Sequence, residues 1–577
     1  MSDRTGADEV VSALTDAGVD HVFGLPGTTI MDIIDALARQ DVIRYITVRH
    51  EQVAAFMADG YARASGSTGV CLASRGPGAA NMAIGVHNSH AESIPVLAIV
   101  GQVGDDIAAR HAFEEVDLLT MFAPLTKWAV EVHDAGRIRE LVLRAVRTAA
   151  QGRPGPVLLS LPLDLLQRPA GPPPGPAAAG RVFRPAPDPA AASAAAALLA
   201  GASRPAIIAG GGVTGDRART AVAALAAAVD APVMTTWLRK SQFPDGADQY
   251  VGVLGYGAHA AAEAAVRDAD VILAAGCRFS EFTTRRWTLV PAAAALIHVD
   301  IDPAELGRTA AVTLGIHADA ALAAEAINAA LTAVPAVAAP DVAARSGRLR
   351  GLRARYEQES ALPDPGPSAQ PVSSAALVAA LQQAVDRYRP LFVQDVHTFG
   401  PWIARHLRIR EPGSYFAAAG GSMGWGLPAA MGIQAARPDR RVLAVLGDGS
   451  FWMVAQDLET AVREKLPVVC VVVNNFAFGN TRDRQRIAHG GRYLGVFYGN
   501  PDFAAFARLL GAYGERVERS GDLPAAIGRA IESGVPAVID VVQDSQEGLP
   551  PGMAPPAARS PAGQLPREGP PVGKSNR

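Results

Sequence analysis

Residues 441–475, RVLAVLGDGSFWMVAQDLETAVREKLPVVCVVVNN, constrain the fold of this chain more than any other stretch. The runs 441–446 and 468–473 are short, unbroken and rich in Val and Leu, the pattern of parallel strands buried on both faces, which need no polar alternation. Between them Val454, Leu458, Ala461 and Val462 share one helical face, and Pro467 ends the turn into the second run. The prediction is strand–turn–helix–strand, with Gly447-Asp448-Gly449 and Ser450 leaving the first strand and Asn474-Asn475 ending the second. Both therefore reach the carboxyl rim, where open α/β sheets take their ligands. Glycines let backbone N–H groups approach a phosphate, while Asp448 and the Asn475 amide offer hard oxygens suited to Mg²⁺. A lone Gly-Asp-Gly mostly makes a turn, but in this setting the pattern predicts a metal-bridged diphosphate.

A chain of 577 residues is too long for one core, and about three to four domains are expected. With 49% apolar and 19% charged residues and a net charge of −3, nothing favours nucleic acid or an anionic membrane as partner. Cys71, Cys277 and Cys470 lie in apolar runs without CxxC spacing, which predicts core residues in a reducing compartment. The first residues include acids and no apolar signal region, and no run is long enough to span a bilayer, so a cytoplasmic location is expected.

Along the chain, helix 6–18, strand 21–29, helix 30–39, strand 45–52, helix 52–64 and strand 69–74 alternate as in a doubly wound parallel sheet. This first domain is read as 1–167, followed by a Pro/Ala/Gly-rich linker at 168–190. A second α/β unit, 191–335, carries strands at 205–212, 232–237, 268–279 and 295–303. A linker at 336–372 leads to the third domain, 373–544, and the Pro/Gly/Ala-rich tail 545–577 is expected to be disordered. The fold class is thus α/β, with three doubly wound parallel-sheet domains of which the first and third look like two versions of one plan.

The spacing from Gly-Asp-Gly to Asn-Asn is similar to the diphosphate motif of thiamine-diphosphate enzymes. GLPG (24–27), RHE (49–51), GPGAAN (76–81), IPVLAIVGQV (94–103), AFEEVD (112–117) and GRPGPVLLSLPLD (152–164) follow in the order seen in the pyrimidine-binding domain of the acetolactate synthase group. The chain resembles that family from about residue 5 to 544. The resemblance implies that the first domain of one subunit holds the aminopyrimidine of thiamine diphosphate and the third domain of its partner holds the diphosphate, in a homodimer or dimer of dimers. Glu51 matches the carboxylate that shares a proton with the pyrimidine ring. In AAAGGSMGWGLPAAMG (417–432), Met423 matches the apolar wedge that bends the cofactor, and the Gly421 carbonyl the acceptor for its amino group. Asp448, Asn475 and the Ala477 carbonyl match the Mg²⁺ ligands, with Gly447, Gly449, Ser450, His397 and Thr398 around the diphosphate.

The implied chemistry is decarboxylation of a 2-oxo acid followed by transfer of its acyl fragment to a carbonyl acceptor. Three departures bear on the substrate. Glu114 stands where acetolactate synthases commonly have Gln, Arg484 in GNTRDRQ (479–485) where they have Trp, and His397-Thr398-Phe399 replaces Gly-Gln-His. Thr28, Phe113, Glu114, Asn480 and Arg484 are the candidate substrate residues, and Glu114 joins Glu51, Gly421 and Met423 as a candidate catalytic group. The family's middle domain holds FAD or an adenine nucleotide in some members and nothing in others. Here Arg278 and Asp300 are placed for such a nucleotide, but Val253-Leu254-Gly255 replaces the Met-His-Gly of flavin-containing members. The leading expectation is an acetolactate synthase-like carboligase. The alternatives are a non-ligating 2-oxo acid or acyl-coenzyme A decarboxylase, and a non-catalytic assembly subunit, against which the joint retention of Glu51, Asp448 and Asn475 argues.

Overall fold

The computed structural model describes residues 4–170, 183–334, 342–366, 369–551 and 553. Its strands form three parallel six-stranded sheets. The first contains β1 (His21–Gly24), β2 (Arg44–Thr47), β3 (Gly69–Ala73), β4 (Val96–Gln102), β5 (Trp128–Glu131) and β6 (Val157–Pro162). The second contains β7 (Pro205–Ala209), β8 (Val233–Thr235), β9 (Tyr250–Val253), β10 (Val271–Ala275), β11 (Ala295–Asp300) and β12 (Leu314–His317). The third contains β13 (Leu391–Gln394), β14 (Tyr415–Ala417), β15 (Val442–Gly447), β16 (Val468–Asn474), β17 (Tyr513–Val517) and β18 (Ala537–Val542).

The first sheet is ordered β2-β1-β3-β4-β6-β5 and the third β14-β13-β15-β16-β18-β17, the same plan twice. The middle sheet runs β9-β8-β7-β10-β11-β12, the 3-2-1-4-5-6 order of a dinucleotide-binding fold. Strand order reverses between β1 and β3 and again between β13 and β15, the switch points at whose carboxyl rim open α/β sheets take ligands. In β16 every residue is buried, as its unbroken β-branched run requires.

The first and third domains share one core, in which Phe23, Met57 and Val100 join Leu427, Met431 and Leu446. At its centre helix Glu51–Ser65 packs on helix Gly426–Ala436, and two glycines permit the approach. A Cβ on Gly60 would meet the Ala429 carbonyl at 2.3 Å, and one on Gly432 the Met57 carbonyl at 2.1 Å. A buried polar cluster ties in the middle domain. Asp59 accepts from Trp425 Nε1 at 2.8 Å and from Arg63 at 2.7 Å, while Arg63 and Arg239 converge on Glu92 Oε2 at 3.2 and 2.5 Å.

The segment between β15 and β16 is not one helix. It breaks into Asp448–Trp452, a 3₁₀ turn at Ala455–Asp457, and Leu458–Arg463, because Val454, Leu458 and Ala461 are all drawn into the core while the turn redirects the chain. The expected linker 336–372 also needs correction. It contains the helix Val342–Ser360, which docks on the middle domain through Leu349 and Tyr356. Arg345, Arg348 and Arg353 hold that helix by donating to carbonyls of Ala202, Ala265 and Tyr250. The tail does not loosen at 545: Ser374 N–H donates to Glu547 at 2.8 Å and Trp402 Nε1 to the Gly548 carbonyl at 3.0 Å. The expected disorder of 554–577, like most of the 168–190 linker, lies outside the described residues. All three cysteines are buried and free, and among the described residues no helix is long and apolar enough to cross a membrane.

Candidate functional site

The third sheet builds its crevice from the ends of β13, β15 and β16. His397 and Thr398 follow β13; Gly447 ends β15 and Asp448 opens the next helix; Asn475 follows β16. Close packing makes the cradle. A Cβ on Gly447 would lie 3.1 Å from the His397 Cβ, one on Gly449 2.7 Å from the Phe478 ring, and one on Gly479 2.6 Å from Thr398 Cγ2. Both His397 ring nitrogens are shut off from solvent with no hydrogen-bond partner, and burial lowers its pKa to about 3, so the ring is neutral and carries one unused N–H. A buried donor without an acceptor is costly unless a ligand supplies one. An anionic diphosphate oxygen at this topological switch point is such an acceptor.

Asp448 is buried, which raises its pKa, against hydrogen bonds from Tyr498, Asn500 and the N–H groups of Gly449 and Phe476. Tyr498 and Asn500 escaped the sequence reading, since their distance along the chain closes only once 476–478 pairs with 496–498. Asn475 donates to Thr398 Oγ1 at 3.3 Å, and its amide oxygen receives the Ala477 N–H at 3.3 Å. Among the described residues no group of three or more His, Cys, Asp or Glu side chains could hold a metal by itself.

Behind the cradle, Asp395 accepts the Ser450 hydroxyl at 2.6 Å, and Ser450 Oγ accepts the Gly424 N–H at 2.7 Å. Burial pushes the Asp395 carboxyl up to about 6. This connection runs from the strand ends to the loop bearing Gly421 and Met423, where Gly421 has φ 76° and Gly424 φ 84°. Those left-handed values suit glycine and explain a Gly-rich turn around one methionine. Asp395 was also absent from the sequence reading, although a carboxylate ending the apolar run 391–393 was the available signal.

The first sheet builds the matching crevice. Glu51 opens its helix and is 8% exposed; its Oε2 accepts from Asn81 at 2.9 Å. Gly78 lies against Oε1, since a Cβ there would sit at 3.2 Å. Thr29 and Ser74 hydroxyls meet at 2.9 Å across the β1–β3 reversal. Thr28 is exposed beside them. Glu114 has φ 61° and pairs with Arg75, whose guanidinium carbon lies 5.5 Å from the Phe113 ring centre. Of the remaining candidates, Asn480 and Arg484 are exposed on helix Gly479–Ala488. The Arg-rich run there is not uniformly solvated: Arg482 is 1% exposed and pairs with Asp483.

A cavity of about 1270 Å³ opens where the three domains meet. Gly211, Gly212, Gly276, Arg278 and Asp300 line its middle-domain wall. Glycine is needed at 212, where a Cβ would meet Gly276 Cα at 2.8 Å. Arg278 donates to the Ala91 carbonyl at 2.6 Å, and burial raises the Asp300 pKa.

Two related sheets with crevices at their reversals, one presenting a buried glutamate and the other a glycine-lined anion cradle, define an enzyme that grips a two-ended cofactor. Residues 4–121 match the thiamine pyrophosphate enzyme N-terminal TPP binding domain, 192–327 the central domain and 395–541 the C-terminal TPP binding domain. The chain belongs to this thiamine pyrophosphate enzyme family. It is 35% identical to the acetolactate synthase isozyme 2 large subunit of Escherichia coli over 96% of this chain and 98% of the relative. It is also 35% identical to the acetolactate synthase large subunit of Parasynechococcus marenigrum, over 93% of this chain and 87% of the relative.

Proposed function

We propose that the protein is a thiamine-diphosphate- and Mg²⁺-dependent carboligase of the acetolactate synthase kind, which decarboxylates a 2-oxo acid and passes the acyl fragment to a carbonyl acceptor. The observation that carries this reading is the enclosed, partnerless His397 imidazole beside the 447–449 turn. When bound, thiamine diphosphate supplies the carbon nucleophile that adds to the 2-oxo acid and makes loss of CO₂ accessible. Glu51 would hold a proton at the pyrimidine ring nitrogen, oriented by the Asn81 amide. The Gly421 carbonyl and the Met423 side chain would orient the cofactor's middle. Asp448, the Asn475 amide oxygen and the Ala477 carbonyl would supply three of the roughly six oxygens Mg²⁺ requires, the diphosphate and water the rest. A divalent cation there favours the ionised Asp448 that burial alone disfavours.

Glu51 and Asp448 would complete one another across two subunits of a homodimer or dimer of dimers. Exposed Trp452, Met453, Phe478 and Phe497 near the cradle support such an interface. The three-domain cavity would take FAD or an adenine nucleotide, which is supported by its glycine-lined wall and by Arg278 and Asp300. Three buried free cysteines suit a cytoplasmic protein. The deciding experiment incubates the cofactor-loaded protein with a panel of 2-oxo acids, with and without carbonyl acceptors, and identifies products by mass spectrometry. Ligated hydroxy-keto products are expected; aldehyde alone under all conditions would sink the carboligase reading.

A further inference from the structure

We propose that Arg75 is a specificity-determining residue: it neutralises Glu114 and so admits the carboxylate of an anionic substrate to the crevice beside Glu51. The inference rests on the 2-oxo acid reading above and deepens it. Its starting point is topology. The turn after β3 occupies in the first sheet the place that the Asp448 turn after β15 occupies in the third, at the strand-order reversal where ligands bind. Arg75 lies in that turn and caps helix Gly76–Glu92. Its backbone N–H donates to Thr29 Oγ1 at 3.3 Å, which fixes it against the chain leaving β1.

Arg75 also stands about one helical turn from the residue that packs on the candidate catalytic carboxylate. Gly78, three residues from Arg75, touches Glu51 Oε1, and three residues of helix rise about 4.5 Å. An uncompensated Glu114 at the same strand-order reversal would add a second negative charge to the rim where a 2-oxo acid must bring its own. Like charges brought together in a partly desolvated crevice oppose binding strongly. Among the described residues the cation paired with Glu114 is Arg75, with Nε 3.3 Å from Oε2.

The contact is held in place but left incomplete. Glu114 keeps a left-handed backbone, φ 61°, that a non-glycine residue adopts only when its surroundings impose it, and such residues gather at ligand sites. Gly76 presses on its carbonyl, since a Cβ at 76 would lie 2.4 Å from that oxygen. Phe113, 75% exposed, covers the guanidinium with its ring. Yet Arg75 Nε is shut off from solvent and makes no hydrogen bond, because the approach to Glu114 has charge proximity without bonding geometry. Arg75 thus serves as the counter-ion to Glu114, held beside it by packing and charge and not by a hydrogen bond.

The test compares Arg75→Ser, Glu114→Gln and the double variant by following CO₂ release from pyruvate and longer 2-oxo acids, with thiamine diphosphate affinity measured in parallel. Arg75→Ser should raise KM by about tenfold or more, the scale of one uncompensated like-charge contact, with a smaller effect on kcat and none on cofactor affinity. Adding Glu114→Gln should bring KM back most of the way, since the charge to be compensated is gone. Rescue also guards against misfolding, because a variant that failed to fold would not recover. An unchanged KM in Arg75→Ser, or a double variant no better than Arg75→Ser, overturns the inference while leaving the carboligase reading intact. If the wild-type protein turns over no 2-oxo acid at all, both fall.

Discussion

Asp395 and Ser450 meet at 2.6 Å, and the direction of their hydrogen bond is fixed by a third group. Ser450 Oγ already accepts the Gly424 N–H, so its own hydrogen must go to Asp395. The cradle and the Met423 loop are thereby one unit. Ser450→Ala removes one of the donors to the buried Asp395 carboxylate, which keeps the Val396 N–H, and leaves the buried Gly424 N–H unpaired, a loss of about 1–3 kcal/mol. We expect a lower unfolding midpoint and at least about tenfold weaker thiamine diphosphate binding by calorimetric titration. Ser450→Thr, which retains the hydroxyl, should recover most of both; if Ala and Thr behave alike, the hydroxyl is not the link.

Glu51→Gln preserves shape and the contact with Asn81 but cannot exchange a proton with a pyrimidine nitrogen. Cofactor affinity should hold within a few-fold, while deuterium exchange at the cofactor's C2 and turnover fall by about 10²–10⁴, the usual worth of a positioned acid–base. Exchange at the wild-type rate would remove Glu51 from the mechanism.

Asp448→Ala would delete the charged oxygen ligand proposed for Mg²⁺ on the cradle. The diphosphate's charge then has no bridging cation to offset it, and thiamine diphosphate binding should lose its dependence on Mg²⁺ along with most of its strength. Titration with and without the metal reads this directly. Undiminished, Mg²⁺-dependent affinity in the variant would clear Asp448 of the role.

Much of this was legible because the signals were local. Val468–Asn474 reads as a buried parallel strand from its β-branched run alone, and Gly447 to Asn475 gave the rim because both lie at strand ends. What stayed hidden depends on chain segments that meet only in space. Tyr498 and Asn500 reach Asp448 by a hairpin-like return of the chain, and Arg75 reaches Glu114 from 39 positions away, which no local periodicity records. The helix Val342–Ser360 was missed for another reason. Its apolar anchors, Leu349 and Tyr356, are few, and much of its fastening comes from arginines bonding to backbone carbonyls, a device that leaves no hydrophobic pattern.

Gly432 lies where two helices nearly touch, and a methyl group would drive into the Met57 carbonyl. Backbone cannot yield as a side-chain end can, so Gly432→Ala should separate the helices that join the first and third domains. Overpacking of this kind costs about 1–3 kcal/mol or more. A comparable alanine at Gly347, where nothing lies within 4 Å, should be neutral or slightly stabilising through helix propensity. Equal unfolding midpoints for the two variants would show that the contact is not tight in solution.

Lys240 is buried between the middle and third domains, its Nζ donating to the Ala404 carbonyl at 2.8 Å. Burial lowers its pKa from 10.5 to about 8, against attraction from Asp245 and with repulsion from Arg408. A base with a depressed folded pKa binds fewer protons folded than unfolded between those two values, so its contribution to stability improves as pH rises from about 8 to 10.5. Below about 8 the amine is charged in both states and the folded protein bears the whole penalty, on the order of 3 kcal/mol. Lys240→Met removes that penalty and forfeits one hydrogen bond worth about 1 kcal/mol. The variant should therefore be more stable than wild type at pH 7, by about 2 kcal/mol, and the advantage should shrink steadily towards pH 10. Urea denaturation of both proteins at four pH values from 7 to about 10 measures the difference. A difference that does not change with pH would mean that the lysine is not desolvated where the fold places it.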